Sequence, residues 1–312
     1  MTAPEGFAIR PATPADAAAV AELMNAFERA HVEEPDTVDA DEVREWWALI
    51  EPERDSRLYF AADGRLAGAA TLSDRNPDTL DLDAYVLPEH AGQGLGGAMV
   101  DWLEQEAAGR GLDRVQSAGL TADAAAGRLL RGRGYEEVRR FYRMQIDLEG
   151  PPPPADWPEG FEVSTFRPGD EAILHAVTEE AFAEHWGHHE RDLDHWRRHT
   201  FGASWWDPSL VYLVRSGDEV AAASVNAFRF GGGWVGTIGT RKPWRGRGLG
   251  RALLLEAFGE FHRRGEARVS LAVDAGNETG ATHLYESVGM RVVWQADVYE
   301  RHLIMGEPLV PP

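Results

Sequence analysis

The amino-acid sequence predicts a mixed α/β fold that occurs twice along the chain. The stretch "EGPPPPADWPEG", Glu149–Gly160, divides the 312 residues nearly in half, and a run of prolines favours a stiff, extended linker. Landmarks in the two halves recur at nearly constant spacings of 157, 154 and 155 residues, which indicates an internal duplication: Arg10 and Arg167, Gly94 and Gly248, Gly134 and Gly289. We therefore predict domains at residues 1–150 and 151–312, with the linker at about 150–158.

The predicted elements follow the same order in both halves. A strand near an Arg-Pro dipeptide leads into a helix, which Thr13 and Pro14 start well in the first half. A helix with tryptophan follows ("VREWWALI", then "DLDHWRRHTF"), and β-rich runs then suggest hairpins through Asp63-Gly64 and Gly217-Asp218. A strand, a glycine-rich turn, a helix, a strand, a second helix and a last strand complete a βαβ arrangement. Each domain is thus expected to have a mixed central β-sheet flanked by helices.

Composition excludes several classes of function. With 52 acidic and 31 basic residues the net charge is −21, which argues against a nucleic-acid partner. No stretch is long and apolar enough to predict a membrane span, and the N-terminus has no secretion-signal pattern, so we expect a cytoplasmic protein. The absence of cysteine excludes disulfides and thiolate chemistry. The acidity either attracts an amine-bearing substrate or serves solubility.

The stretch "PWRGRGLGRALL", Pro243–Leu254, concentrates positive charge at one glycine-rich turn. It lies between a strand ending at Thr237–Thr240 and a helix predicted over Arg251–Arg264, which Gly265 would stop. A helix N-terminus attracts anions, and glycine lets the backbone approach a phosphate closely. Five basic residues add charged donors: Arg241, Lys242, Arg245, Arg247 and Arg251. We predict a phosphate-binding turn; the alternative is a solvated turn with incidental arginines.

Two motifs carry a family resemblance. The spacing fits neither a nucleotide P-loop nor a dinucleotide fingerprint. Instead Arg245-Gly246-Arg247-Gly248-Leu249-Gly250 resembles the acyl-CoA signature of the GNAT superfamily of N-acyltransferases. The later stretch "VDAGNETGATHLYESVGM", Val273–Met290, is similar to that family's second motif. The resemblance implies two tandem GNAT-type domains, the second of which transfers acetyl from acetyl-CoA to the amine of a small molecule by direct attack, with no covalent acyl-enzyme and no metal.

The resemblance also implies roles for individual residues. The backbone at the end of the preceding strand would contact the pantetheine arm, the turn would cradle the pyrophosphate, and Asn277 would lie beside the sulfur. Tyr285 would donate a proton to the departing thiolate; without the motif around it, Tyr285 would be read as a core aromatic. The implied cofactor-binding residues are Ile238, Gly239, Thr240, Arg245, Gly246, Arg247, Gly248, Leu249, Gly250, Arg251 and Asn277.

The segment "EHWGHHERDLDHWRRH", Glu184–His199, is the candidate acceptor side. Glu184 or His185 could deprotonate the amine. The side chains of Trp186, Trp205 and Trp206 could form an aromatic wall that meets a cation. The alternative is a solvated helix with a packed tryptophan face. The histidine spacing is not that of a zinc site.

The first copy keeps the glycines of the turn but has none of the basic or candidate catalytic residues of the second copy. With an offset of 154 residues, the five basic residues of the second copy match Leu87, Pro88, Ala91, Gln93 and Gly97. With an offset of 155, Asn277 and Tyr285 match Ala122 and Leu130. A silent first copy followed by an active second one resembles the arrangement of mycothiol synthase-like tandem GNAT proteins. The sequence departs from that pattern at His185-Trp186-Gly187. Two alternatives therefore remain open: a non-catalytic module that binds or senses acyl-CoA, and mycothiol synthase proper.

Overall fold

A computed structural model describes residues 3–190, 192–277 and 280–303. The chain divides into two compact units, one comprising Met1–Phe141 with Trp294–Pro312 and the other Tyr142–Val293. Across the described residues, no helix combines the length and apolar character needed to cross a membrane. The mixed α/β fold expected from the repeated pattern is confirmed in both units.

The described part of the first unit contains five helices, five complete strands and parts of two further strands. In chain order they are β1 (Phe7–Arg10), α1 (Ala17–His31), α2 (Ala40–Trp47), α3 (Pro52–Asp55), β2 (Ser56–Ala61), β3 (Leu66–Asn76), β4 (Thr79–Val86), α4 (Leu95–Arg110), β5 (Arg114–Leu120), α5 (Ala124–Gly132), the start of β6 (Glu136–Asp147) and most of β12 (Arg291–His302). The sheet order is β1-β2-β3-β4-β5-β12. Its strands are antiparallel except for the parallel β4–β5 pair.

The second unit repeats this plan. It contains the end of β6, then β7 (Glu162–Thr165), α6 (Glu171–Phe182), α7 (Leu193–Thr200), β8 (Val211–Ser216), β9 (Glu219–Arg229), β10 (Gly232–Thr240), α8 (Leu249–Arg263), β11 (Arg268–Asp274), α9 (Ala281–Ser287) and the start of β12. The sheet order is β6-β11-β10-β9-β8-β7. The β10–β11 pair is parallel, and β7, β8, β9 and β10 pair antiparallel.

The core of the second unit fixes α8 against the sheet. Leu249, Leu253 and Phe258 of α8 are almost fully buried, and they pack with Val269 and Leu271 of β11. Apolar side chains recur on α8 at helical spacing, so burying this stripe holds the N-terminus of the helix at the end of β10. The glycine-rich turn between them is therefore held at a fixed place.

The end of β6 completes the second unit. Met144 and Leu148 belong to its hydrophobic core, and the Leu148 backbone N–H donates to the Ala267 carbonyl at 2.7 Å. The linker follows directly, and Ala155 and Trp157 pack against the same core. The proline-rich segment consequently lies inside the second unit. In the first unit the matching place beside β5 is filled by β12, whose Tyr299 is a core residue.

Several local expectations are confirmed. The hairpins turn at residues 62–65 and at Gly217-Asp218, and both tryptophan-bearing stretches are helices. The helix α8 begins at Leu249, two residues before the predicted Arg251, because Gly248 acts as its N-cap. It ends at Arg263, and Gly265 takes the left-handed conformation (φ 92°) expected of a helix stop.

Candidate functional site

The glycine-rich turn of the second unit lies between the end of β10 and the N-terminus of α8. Gly246 and Gly248 have φ values of 75° and 85°, a left-handed conformation that favours glycine. A Cβ atom built at Gly246 would meet no other heavy atom within 4 Å. The backbone N–H groups of the first turn of α8 have no partners within the helix. The turn therefore offers open space beside backbone donors, which fits an anionic group.

Three of the arginines predicted for this turn have the following contacts and exposure. The Arg245 Nε donates to the Thr240 carbonyl at 3.1 Å, which ties this guanidinium to the end of β10. Arg247 donates to the Pro243 carbonyl at 3.3 Å. Arg251 is exposed on the first turn of α8. Arg245 and Arg247 thus hydrogen-bond to carbonyls of the segment between β10 and α8, and Arg251 follows on the first turn of the helix.

The strand β10 carries a β-bulge that opens the sheet in front of the turn. Its register with β9 shifts between Val235 and Thr237, and a glycine within a strand, here Gly236, is a common sign of a bulge. In the described register β10 pairs with β11 only at Gly233 and Trp234. The end of β10, Ile238–Thr240, pairs with β9 on one side. Its other edge lies beyond the paired part of β11, where an extended ligand could add hydrogen bonds.

Two glycines of the predicted site allow close helix packing. A Cβ atom at Gly239 would lie 2.5 Å from the Ala181 Cβ of α6, and one at Gly250 would lie 2.9 Å from the Leu284 Cδ2 of α9. Both distances are shorter than any ordinary carbon contact. Glycine at these positions therefore brings α6 to the end of β10 and α9 to the first turn of α8.

Tyr285 lies on α9 and is only 7% exposed. Within the described part of the chain its hydroxyl makes no side-chain hydrogen bond, and burial alone raises its pKa to about 12. The hydroxyl therefore keeps its proton across the neutral range. Its ring packs in the same core as Leu253 and Leu254 of α8, so it belongs to the core and is also a candidate proton donor.

Asn277 follows β11. Its backbone N–H donates to the Asp274 carbonyl at 3.1 Å, and the Asp274 carboxylate accepts from the Gly276 N–H at 2.9 Å. This tight turn fixes the chain just after the strand. The neighbouring Glu278 and Thr279 of the predicted motif lie outside the described residues.

The acceptor-side candidates lie just after α6. Glu184 accepts hydrogen bonds from the Lys242 Nζ at 2.7 Å and from the Arg245 Nη1 at 3.4 Å. These two cations, Lys242 first, hold the pKa of Glu184 below its usual range. Burial lowers the pKa of His185, against the opposite influence of the nearby Asp274. At neutral pH Glu184 is thus an ion-paired carboxylate and His185 a neutral imidazole.

The three tryptophans of the predicted aromatic wall differ in their surroundings. Trp186 is 38% exposed. Trp205 and Trp206 instead pack against the core that contains Trp196 of α7 and Leu213 of β8. For these two residues the alternative of a packed tryptophan face describes the observed contacts.

The turn in the first unit has the same backbone and different surroundings. Gly92 and Gly94 have φ values of 75° and 86°, which match the second unit. Tyr85 stands where the second unit has Gly239, and its ring meets Phe27 edge-on at 5.5 Å. The first unit therefore has two packed aromatic rings, Tyr85 and Phe27, at the position where the second unit has a glycine.

The first unit also lacks the opened sheet. The register of β3 with β4 is unbroken from Gly68 to Ser73, so no bulge occurs at Leu82, the counterpart of Gly236. The parallel pairing of β4 with β5 continues as far as Leu82 and Ser117. The Ser117 hydroxyl also donates to the Leu82 carbonyl at 3.2 Å. This bond holds the two strands together at the level where the second unit separates them.

Sequence reasoning missed several charged contacts of the second unit. Glu180 accepts from the Arg241 Nε at 2.6 Å, and the His188 Nε2 lies 3.1 Å from the Glu179 Oε2. These partners are separated by many residues or occupy a loop, so no local pattern pairs them. The bulge was detectable, because Gly236 interrupts an apolar strand pattern.

The fold, the glycine-rich turn and the opened strand edge together define an acyltransferase of the acetyltransferase (GNAT) family, to which the chain belongs. The model of that family matches residues 19–135 and 172–290, one stretch in each half. The protein is therefore an acetyltransferase with two GNAT domains in tandem.

Individual relatives agree with this assignment. The chain is 34% identical over 255 residues to a mycothiol acetyltransferase of Thermobispora bispora, covering 79% of this chain and 83% of the relative. It is 31% identical over 304 residues to a mycothiol acetyltransferase of Catenulispora acidiphila, covering 90% and 94%.

Solved structures show the same architecture. A GCN5-related N-acetyltransferase from Sphaerobacter thermophilus is 35% identical and matches with a TM-score of 0.84, covering 99% of both chains. A tandem GNAT protein of the clavulanic acid pathway has the same fold at 15% identity, with a TM-score of 0.74, covering 97% of this chain and 99% of that one.

Proposed function

We propose that the second unit transfers acetyl from acetyl-CoA to the amine of a small molecule. The observation that carries this proposal is the glycine-rich turn at the N-terminus of α8. Arg245 and Arg247 hydrogen-bond to carbonyls beside this turn, Arg251 is exposed on the first turn of the helix, and a Cβ atom at Gly246 would meet no heavy atom within 4 Å. Backbone donors and guanidinium groups are a donor set that suits a pyrophosphate. The adjacent edge of Ile238–Thr240 suits the amide groups of a pantetheine arm.

The residues of the second unit can be assigned roles in direct transfer. Acetyl-CoA supplies the thioester, and the reaction converts an amine and this thioester into an amide and a free thiol. His185, neutral because burial lowers its pKa, accepts a proton from the acceptor ammonium. Tyr285, protonated because burial raises its pKa, donates a hydrogen bond and a proton to the departing thiolate. The second proton that the nitrogen loses on becoming an amide restores the Tyr285 hydroxyl, and the proton held by His185 leaves to solvent. Asn277, in the turn after β11, would contact the donor beside its sulfur.

The ion pairs of Glu184 favour His185 as the base. A carboxylate that is held by Lys242 and Arg245 has a lowered pKa, and it attracts a proton only weakly. The burial of His185 instead leaves an imidazole nitrogen in the neutral, proton-accepting form. We therefore assign proton removal to His185 and treat Glu184 as a partner of the basic turn.

A second candidate acceptor comes from the relatives. The relatives at 31–34% identity are named mycothiol acetyltransferases, which favours the same reaction for this chain. The His185-Trp186-Gly187 departure from the expected pattern favours a different amine.

Release of free thiol from acetyl-CoA, followed across a panel of small amines that includes the mycothiol precursor, tests both candidates. Turnover with any amine supports the acetyltransferase proposal, and the preferred amine decides between the two acceptors. Tight binding of acetyl-CoA without thiol release for any amine would instead support a non-catalytic acyl-CoA-binding module.

A further inference from the structure

Two basic side chains of the turn in the second unit pair with Glu184, which lies just after α6. The Lys242 Nζ and the Arg245 Nη1 contact the two oxygens of Glu184, at 2.7 and 3.4 Å. One carboxylate therefore bridges two of the cations that surround the turn. It is a counter-ion for Arg245, which we assign to the pyrophosphate, and for the neighbouring Lys242.

This bridge is exposed and exchangeable. The side chains of Glu184 and Lys242 are 55% and 58% exposed, and ion pairs in contact with water hold side chains only weakly. Arg245 keeps a separate hydrogen bond to the Thr240 carbonyl, so its guanidinium stays at the turn when Glu184 leaves. A diphosphate offers more negative charge and more acceptor oxygens than one carboxylate.

A neighbouring pair has the opposite character. Arg241 is fixed by Glu180 at 2.6 Å, by the Val220 carbonyl at 3.2 Å and by stacking over the Trp244 ring. Its guanidinium therefore takes part in a local structure that a ligand has no need to open. Glu180 thus provides a matched control, since it carries the same charge on the same segment.

We propose that Glu184 is an internal counter-ion that pairs with Lys242 and Arg245 beside the anion site of the turn in the free enzyme and is displaced from these two cations by the phosphates of the acyl donor. The proposal rests on the proposed function of the turn. It makes Glu184 a residue that sets donor affinity, because each binding event must first break its contacts with Lys242 and Arg245. Removing its charge should therefore tighten the binding of phosphate-bearing ligands.

Calorimetry on the full-length protein tests this proposal with coenzyme A, and with inorganic pyrophosphate as a competitor that probes the anion site alone. For Glu184→Gln we expect both affinities to rise about three- to tenfold at low salt, with a smaller gain at roughly 0.5 M salt, because salt screens the repulsion that the substitution removes. For Glu180→Gln we expect less than about a twofold change, because Arg241 stays held by the Val220 carbonyl and the Trp244 ring and the remaining change in charge is screened.

The outcomes separate this proposal from the function on which it rests. An unchanged or weaker affinity of Glu184→Gln for coenzyme A would overturn the displacement of Glu184 while leaving the turn as the donor site. An equal gain in affinity in Glu180→Gln would also overturn the displacement of Glu184, since the gain would then come from the lower negative charge of the protein as a whole. Failure of the unsubstituted protein to bind coenzyme A would overturn both the displacement and the donor assignment.

Discussion

Gly239 and Ala181 lie so close together that a Cβ atom at Gly239 would stand 2.5 Å from the Ala181 Cβ. This contact brings α6 to the end of β10, beside the glycine-rich turn. Any side chain at position 239 must push α6 away or distort β10. The spacing of the candidate site therefore depends on the absence of a single methyl group.

Gly239→Ala should destabilise the protein by about 1–3 kcal/mol, because the added methyl overpacks a tight contact. Chemical denaturation measures this loss. Gly259→Ala is the matched control, since Gly259 lies within α8 and a Cβ there would meet nothing within 4 Å. Alanine should stabilise that helical position by about 0.5–1 kcal/mol. Equal stability for the two variants would contradict the close-packing account of Gly239.

Arg245→Glu should weaken the binding of coenzyme A by about 2 kcal/mol or more, roughly 30-fold, because it replaces a charged contact with repulsion. Calorimetry provides the measurement. Arg263→Glu makes the same change of charge at the other end of α8, where the arginine is 66% exposed, and controls for the field of the whole protein. Unchanged affinity in Arg245→Glu would remove the turn from the donor site.

The pH dependence of kcat/KM should report His185. Burial lowers the pKa of this imidazole below its ordinary value near 6.5. The base is active when neutral, so activity should hold as pH falls to about 6.5 and decline only below that value. His185→Gln should lower kcat/KM and remove this acid limb. An acid limb that persists unchanged in His185→Gln would assign the proton transfer to another group.

The stability of the second unit should depend on residues 142–148, which precede the proline-rich linker. Met144 is fully buried in its core, so Met144→Ala should cost about 2–5 kcal/mol through lost contacts and a cavity. Met24 of α1, which is only partly buried, provides the comparison, and Met24→Ala should cost clearly less. Similar losses for both variants in chemical denaturation would contradict the assignment of residues 142–148 to the second core.

Much of the fold was predictable because it depends on local patterns. Turn residues such as Gly217-Asp218 and helix caps such as Gly248 act over a few positions, and the duplication shows in the spacing of glycines. The contribution of Met144 to the second core could not be read in this way, because strand pairing between distant segments leaves little local signal. The contacts of Glu184 with Lys242 and Arg245 depend on how α6 packs, which in turn depends on Gly239.

The sequence identified the turn and Tyr285 of the candidate site but did not choose between the two candidate bases. The motif pointed to Tyr285 and to the turn at Gly246, and both lie in the second unit with the turn at the start of α8. The sequence left Glu184 and His185 as equal candidates for the base. Only their surroundings separate them, since one is ion-paired in water and the other is half-buried.

Tyr285→Phe is the substitution that tests the chemistry of the second unit. It removes one hydroxyl that makes no side-chain hydrogen bond among the described residues, and it keeps the buried ring. We expect turnover to fall about 10²-fold or more with nearly unchanged affinity for coenzyme A, because a proton donor is lost from the transition state. Tyr212→Phe, at another buried tyrosine of the same unit, should change turnover little.

The most direct measurement is thiol release by full-length Tyr285→Phe, with the first unit intact, for every amine that the unsubstituted protein accepts. The account predicts that turnover falls to about one hundredth or less with each amine. It also predicts that Gly92→Ala and Gly94→Ala in the first unit, which cost stability because both backbones are left-handed, do not lower the turnover of the folded protein further. Residual turnover that disappears only when the Gly92–Gly94 turn is changed would show that the first unit is a second active enzyme, contrary to the account.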